Sequence, residues 1–60
     1  MKGREYLSEP EAALYLGLSL STMRRYRKMN RGPRYVRISD RILRYSKEDL
    51  DEYVQSRTIG

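Results

Sequence analysis

Apolar residues recur at helical spacing near the start of the chain. Ala12, Ala13 and Leu16 form one apolar stripe, with Tyr15 as a further candidate member. The preceding run Ser8-Glu9-Pro10-Glu11 has the spacing of a capping box, and a proline is tolerated in a first helical turn. Gly17 supplies a residue that can end a helix with positive φ. The pattern predicts a first helix of about nine residues that begins after Ser8.

A second helical start follows after the three residues Gly17-Leu18-Ser19. Ser19 or Ser21 is the expected N-cap, and Leu18 should fill the corner between the two helices. At 100° per residue, Met23 and Tyr26 point towards a core, while the opposite side is polar and cationic. We therefore predict a second helix over about residues 20–29. Two helices joined by a short turn that contains glycine are typical of a helix-turn-helix.

Alternation with a period of two replaces helical spacing after Pro33. Tyr35-Val36-Arg37-Ile38 predicts a strand with Val36 and Ile38 inward and Arg37 outward. Ser39-Asp40-Arg41 is the expected hairpin tip. The run Ile42-Leu43-Arg44-Tyr45 predicts a second strand, with Leu43 and Tyr45 on the core side.

The last predicted element is a helix that begins at Ser46, with Asp49 three residues later as its capping partner. Leu50, Tyr53 and Val54 follow at i, i+3 and i+4 and should close the core. The predicted order is helix, helix, strand, strand, helix. This is an α+β fold, a small winged helix-turn-helix, and we expect residues 1–60 to form a single domain.

Charge changes this picture because it is concentrated in one segment. The chain of 60 residues has a formal net charge of +5 and a pI of about 9.9. Residues 24–44 contain nine basic residues and one acidic residue, Asp40, which gives +8 and leaves −3 for the rest of the chain. Ten of the thirteen cations are arginine, whose planar fork suits phosphate oxygens and guanine edges. A nucleic-acid partner is therefore expected.

Composition argues against several other classes of protein. The chain has no cysteine and no histidine, so disulfides, zinc fingers and Cys/His nucleophiles are excluded. The six tyrosines are better explained by packing than by a nucleophilic role. The acidic residues 48–52 suit a helix N-terminus better than a metal site, and no stretch reaches the roughly 20 apolar residues of a membrane span. We expect no enzymatic activity, cofactor, metal or membrane contact, and a cytoplasmic, nucleoid-associated location.

The second helix is the first candidate site for DNA. In a helix-turn-helix the second helix lies in the major groove and reaches base edges with its early residues. Its candidate contact residues are Ser21, Thr22, Arg24, Arg25 and Lys28.

The hairpin is the second candidate site. Its candidate contact residues are Arg37, Arg41 and Arg44. Arginine at a protruding tip suits the minor groove, where the negative potential deepens as the groove narrows. Asp40 at the same tip would repel phosphate unless it orients Arg41.

A combination of segments along most of the chain also carries a family resemblance. The segments are Leu7-Ser8-Glu9-Pro10-Glu11-Ala12-Ala13, Leu16-Gly17-Leu18-Ser19, Ser21-Thr22-Met23, Arg25-Tyr26, Gly32-Pro33-Arg34-Tyr35-Val36-Arg37-Ile38, Arg41-Ile42-Leu43-Arg44-Tyr45 and Glu48-Asp49-Leu50-Asp51-Glu52-Tyr53. With these segments the chain resembles the excisionase and AlpA-like proteins of phages and mobile elements. The chain departs from that family at Ser39-Asp40, where glycine is frequent, and at Arg27, where an apolar residue is frequent.

The resemblance implies a winged helix-turn-helix similar to the DNA-binding domain of MerR-type regulators. It also implies an architectural protein that binds double-stranded DNA, bends it and recruits an integrase towards excision, or else a regulator of transcription. No residue separates these two roles, and a basic adaptor that binds an acidic protein is the alternative from a different class. A domain this small, with about 10 bp of contact, is expected to associate with further copies on tandem sites or with a partner protein.

Overall fold

The computed structural model describes residues 5–57, which contain three helices and three short strands. In chain order the elements are β1 (Tyr6–Leu7), α1 (Glu9–Leu16), α2 (Leu20–Lys28), β2 (Val36–Arg37), β3 (Leu43–Ser46) and α3 (Lys47–Ser56). The strands form an antiparallel sheet in the order β1-β3-β2. The predicted order of helices and hairpin is confirmed, and the fold is a winged helix-turn-helix. We call β2, β3 and their connecting turn the wing.

Strand β1 has no counterpart among the elements predicted from the sequence. It consists of two residues, which pair with the end of β3 as Tyr6↔Ser46 and Leu7↔Tyr45. Two residues are too short to show an alternating pattern, so only the paired partner identifies this strand. It ties the start of α1 to the wing.

Both expected caps of the first helix are present. Ser8 Oγ accepts the backbone N–H of Glu11 at 3.3 Å, and the Glu11 carboxylate accepts the N–H of Ser8 at 2.9 Å. Gly17 ends α1 in the left-handed region at φ 74°. None of the helices in residues 5–57 is long and apolar enough to cross a membrane.

The core lies where the three helices meet strand β3. Its fully buried members are Ala12, Ala13, Met23, Tyr45 and Leu50. The buried Ser46 caps α3 by accepting the N–H of Asp49 at 3.0 Å. The serine half of the capping pair predicted for α3 is therefore confirmed. Ala12, Ala13 and Met23 lie in the core as predicted, whereas Tyr15 is 44% exposed.

The predicted orientation of the first wing strand is wrong by one residue. Arg37 pairs with Leu43 and Val36 with Arg44, and directly opposed residues share one face of a sheet. Arg37 therefore shares the face of the core residue Leu43. Val36 and Ile38, predicted inward, are 42% and 61% exposed. A slip of one residue reverses every side chain of a strand, and alternation alone does not say which set faces the core.

The predicted core position of Val54 is also wrong, since this side chain is 48% exposed. Leu50, one turn earlier, is completely buried, and Tyr53 is half-buried. Helix α3 packs on α1 and β3, which are short elements of eight and four residues. They cover the first part of α3 and leave its last turn open to solvent.

Candidate nucleic-acid interface

The turn between α1 and α2 fixes the orientation of the second helix. Gly17 donates its N–H to the carbonyl of Leu14 at 3.1 Å, and Leu18 donates to that of Ala13 at 2.8 Å. The half-buried Leu18 packs against the core, as the sequence predicted. Ser19, rather than Ser21, caps α2 by accepting the N–H of Thr22 at 3.1 Å. The first turn of α2 is thus fixed by the preceding turn and by the Ser19 cap.

Helix α2 buries one side and presents the other to solvent. Met23 is its one completely buried residue. Four of the five predicted contact residues are exposed: Ser21, Arg24, Arg25 and Lys28. The fifth, Thr22, is half-buried, and its hydroxyl accepts a hydrogen bond from Ser19 at 2.8 Å. The cationic outer face predicted for this helix is therefore present, with Thr22 engaged in the cap.

Glu9 connects α1, α2 and the wing, and sequence reasoning missed this role. Its carboxylate accepts two hydrogen bonds from Arg27, at 2.7 and 3.3 Å, and one from the Tyr45 hydroxyl at 2.9 Å. Arg24 lies 3.7 Å away on the same carboxylate. Glu9 and Arg27 lie on different helices, 18 positions apart in the chain, so no local sequence pattern indicates their contact. Arg27 stands where the family that the chain resembles often has an apolar residue, and its charge is paired there with that of Glu9.

Protonation states in this network are set by the mutual contacts. Burial acts to raise the pKa of the Glu9 carboxyl, but the hydrogen bonds from Arg27 and Tyr45 outweigh it and lower this pKa below its ordinary value. Burial and the hydrogen bond to Glu9 raise the pKa of the Tyr45 hydroxyl. The hydrogen bond to Glu9 also raises the pKa of Arg27. Glu9 is therefore charged and Tyr45 neutral at pH 7.

The three wing arginines occupy different environments. Arg37 is exposed, donates to the backbone carbonyl of Asp40 at 3.4 Å and lies 6.0 Å from the centre of the Tyr35 ring. Arg41 is exposed in the turn. Arg44 is half-buried and donates to the carbonyl of Leu43 at 2.8 Å. Arg41 is thus the most available of the three, because its guanidinium has no hydrogen bond or ion pair within residues 5–57.

One groove brings the two predicted sets of cations together. Its charged lining consists of Glu9, Arg24, Arg27, Lys28, Arg41 and Arg44. We call it the basic groove. It joins two cations of the predicted α2 set to two of the predicted wing set, whereas Arg25 and Arg37 lie outside it. Glu9 is the one carboxylate in its lining and is paired with Arg27.

The helix-turn-helix, the wing and this groove define a winged helix-turn-helix domain with a basic face. Comparison with known proteins agrees with that class. A family model described as helix-turn-helix domain matches residues 6–58, and the chain belongs to this family. Membership indicates DNA binding by a domain that is typically not an enzyme. No curated protein matches the chain.

Proposed function

We propose that this protein binds double-stranded DNA in a sequence-specific manner. Helix α2 would lie in the major groove, and the wing on the flanking backbone or in the minor groove. The observation that carries the proposal is the basic groove, where Arg24 and Lys28 of α2 and Arg41 and Arg44 of the wing line one surface. Duplex DNA carries one negative charge per about 1.7 Å of its axis. Cations from two separate elements on one surface suit such a continuous line of phosphates.

Base reading is assigned to the part of α2 that lies outside the basic groove. Arg25 is exposed and has no acidic partner among residues 5–57, so its fork is available for a guanine edge. Ser21, one turn earlier on the same face, can hydrogen-bond to either kind of base edge. Arg24 and Lys28 face the wing and suit phosphates. Thr22 contributes to the site at the start of α2, where its hydroxyl accepts a hydrogen bond from the N-cap residue Ser19.

In the cell, we propose the role of an excisionase-like architectural factor. The resemblance to excisionase and AlpA-like proteins supports this role, with an integrase as protein partner and further copies on tandem sites. Such a factor acts in the cytoplasm, at the nucleoid. Regulation of transcription is the alternative, and an integrase gene beside the coding sequence would favour excision.

DNA binding is tested by fluorescence anisotropy with the full 60-residue chain. Labelled duplexes from the region around its own gene and a duplex of random sequence are titrated at several salt concentrations. We expect tighter binding to one native segment and a linear fall of log K with log[salt]. In the double variant Arg24→Ala, Arg41→Ala the slope should become shallower by about 0.9 for each phosphate that is no longer neutralised.

Lys47→Ala is the matched control, because it also removes a cation but lies beside Glu5 and Tyr15, away from the basic groove. It should leave the slope unchanged. Absence of binding to every duplex at low salt would refute the proposal. Binding to an acidic protein in that case would support the adaptor function instead.

A further inference from the structure

A second group of arginines and tyrosines lies beside α2, away from the basic groove. Tyr26 of α2, Arg31 of the following loop, Tyr53 of α3 and Arg57 at its C-cap line one cleft. We call it the tyrosine-arginine cleft. Helical spacing predicts Tyr26 and Tyr53 in the core and indicates no role for Arg31 and Arg57. Both tyrosines are half-buried and border this opening.

Contacts inside the cleft hold the Arg57 guanidinium in place without neutralising it. The Arg57 guanidinium lies 4.7 Å from the centre of the Tyr53 ring and donates to the backbone carbonyl of Arg31 at 3.3 Å. No carboxylate of residues 5–57 lines the cleft. Within the same residues, neither tyrosine hydroxyl here donates or accepts a hydrogen bond. The cleft thus offers two positive charges and two hydroxyl donors to an anion.

The two basic sites lie on opposite flanks of α2. Successive residues of an α-helix are about 100° apart, so Tyr26 lies about 200° around the axis from Arg24. Arg24 lines the basic groove on the wing side, and Tyr26 lines the cleft on the other side. The exposed arc between them carries Ser21 and Arg25, the residues assigned to base reading.

This arrangement matches the width of the DNA major groove. An α-helix with its side chains is about 10–12 Å across, and the major groove is about 12 Å wide. A helix inserted there has a phosphate backbone against each flank. We propose that the tyrosine-arginine cleft binds a phosphodiester on the wall of the major groove opposite the one held by the basic groove. This inference rests on the proposed DNA binding, and it makes Arg31 and Arg57 further DNA-binding residues.

The chemistry of the cleft suits a phosphodiester. Guanidinium forks form paired hydrogen bonds to phosphate oxygens, and tyrosine hydroxyls donate to them as well. Such contacts are independent of base sequence. Removal of the cleft cations should therefore weaken binding to native and random duplexes alike.

The test compares charge-removing variants in the salt titration by anisotropy. We expect the double variant Arg31→Gln, Arg57→Gln to lower the salt slope by about 0.9 for each phosphate released, which corresponds to roughly threefold in affinity per phosphate across a fourfold change in salt. Lys47→Gln, which removes one positive charge outside the cleft, is the control. Ethylation interference should detect essential phosphates on both walls of the major groove for the native chain and on one wall for the double variant.

Distinct outcomes separate this inference from the proposed function. If Arg24→Ala, Arg41→Ala flattens the slope but Arg31→Gln, Arg57→Gln behaves like Lys47→Gln, the cleft inference is wrong and DNA binding stands. If the native chain binds no duplex, both fail. If the double variant does not fold, Tyr53→Phe decides, because it keeps the ring beneath Arg57. A loss of about twofold to tenfold on both duplexes, as expected for one hydrogen bond to phosphate, supports the cleft, and unchanged affinity overturns it.

Discussion

Glu9 connects three elements of the molecule. It receives Arg27 from α2 and Tyr45 from β3, while it belongs to the first turn of α1. A charged hydrogen bond in a partly buried site is worth more than an exposed ion pair, since water competes less for it. This network joins three elements near the basic groove. The small core offers little apolar area that could join them there.

Replacing Glu9 with glutamine should destabilise the fold. We expect Glu9→Gln to lower the free energy of unfolding by about 1–3 kcal/mol, because Arg27 and Tyr45 lose a charged acceptor. Urea denaturation followed by circular dichroism measures the change. Glu52→Gln, at an exposed position of α3, is the control and should change stability by less than about 0.5 kcal/mol. Equal effects of the two substitutions would contradict the role given to Glu9.

Stability at alkaline pH should depend on the Tyr45 hydroxyl. Its pKa in the folded state is raised above the ordinary value of 10.0 by burial and by the hydrogen bond to Glu9. A group whose pKa is higher in the folded than in the unfolded state stabilises the fold fully at pH values below the unfolded pKa. This stabilisation is lost as the pH rises from the unfolded towards the folded pKa. The stability difference between the native chain and Tyr45→Phe should therefore be constant up to about pH 9 and shrink above about pH 10. Urea melts across this range test it, and a difference that stays constant to about pH 11.5 would argue against the hydrogen bond.

At the scale of elements, the turn between α1 and α2 depends on one backbone conformation. Gly17 has φ 74°, a region that side chains with a Cβ atom enter only at a cost. Space does not limit this position, since no heavy atom beyond the local backbone and the neighbouring residues lies within 4 Å of where a Cβ would stand. The need for glycine at this position thus comes from the backbone conformation and not from lack of space.

Gly17→Ala should lower the free energy of unfolding by about 1 kcal/mol. Gly32→Ala is the matched control, because Gly32 lacks a positive φ and a Cβ there would meet Tyr26 at an ordinary 3.5 Å. We expect a smaller change at Gly32, and an intermediate one for Gly17→Asn, because asparagine tolerates the left-handed region. Thermal melts of the three variants measure this order. A larger loss at Gly32 than at Gly17 would contradict it.

The wing shows what local pattern leaves undecided in an element. Its existence and its tip follow from alternation and from turn residues, and both are predictable. Which residues of its first strand face the core cannot be predicted, because Tyr35 and Arg37 alternate as regularly as Val36 and Ile38. Pairing of Arg37 with Leu43 settles the register, and the ring of Tyr35, 5.8 Å from that of Tyr45, packs on the core side.

At the scale of the whole molecule, charge is separated between two regions. Residues 24–44 carry +8, and the remainder carries −3. The positive region includes most of α2 and the wing, and it supplies every cation of the basic groove and Arg31 of the tyrosine-arginine cleft. Attraction to duplex DNA should therefore depend steeply on salt.

Substitutions across this surface should divide into two kinds. We expect Arg25→Ala to weaken the native site far more than random duplex, by about 1–3 kcal/mol of discrimination, because a base-reading fork is removed. Arg41→Ala should weaken both duplexes to a similar extent, as expected for a residue that meets phosphate. Paired anisotropy titrations measure the ratio. Equal losses for Arg25→Ala on the two duplexes would remove Arg25 from the base-reading set.

The sequence alone determined the three helices, the N-caps of α1 and α3, the wing and the segment that carries the positive charge. These features depend on residues within a few positions of one another, such as Ser8 with Glu11 or Gly17 after Leu16. The local sequence is therefore sufficient to predict them. Only the tertiary structure decided the pairing of β1, the facing of Val36, the partner of Glu9 and the two basic sites on opposite flanks of α2. Each of these joins residues that are far apart in the chain, and their contact depends on how the elements pack.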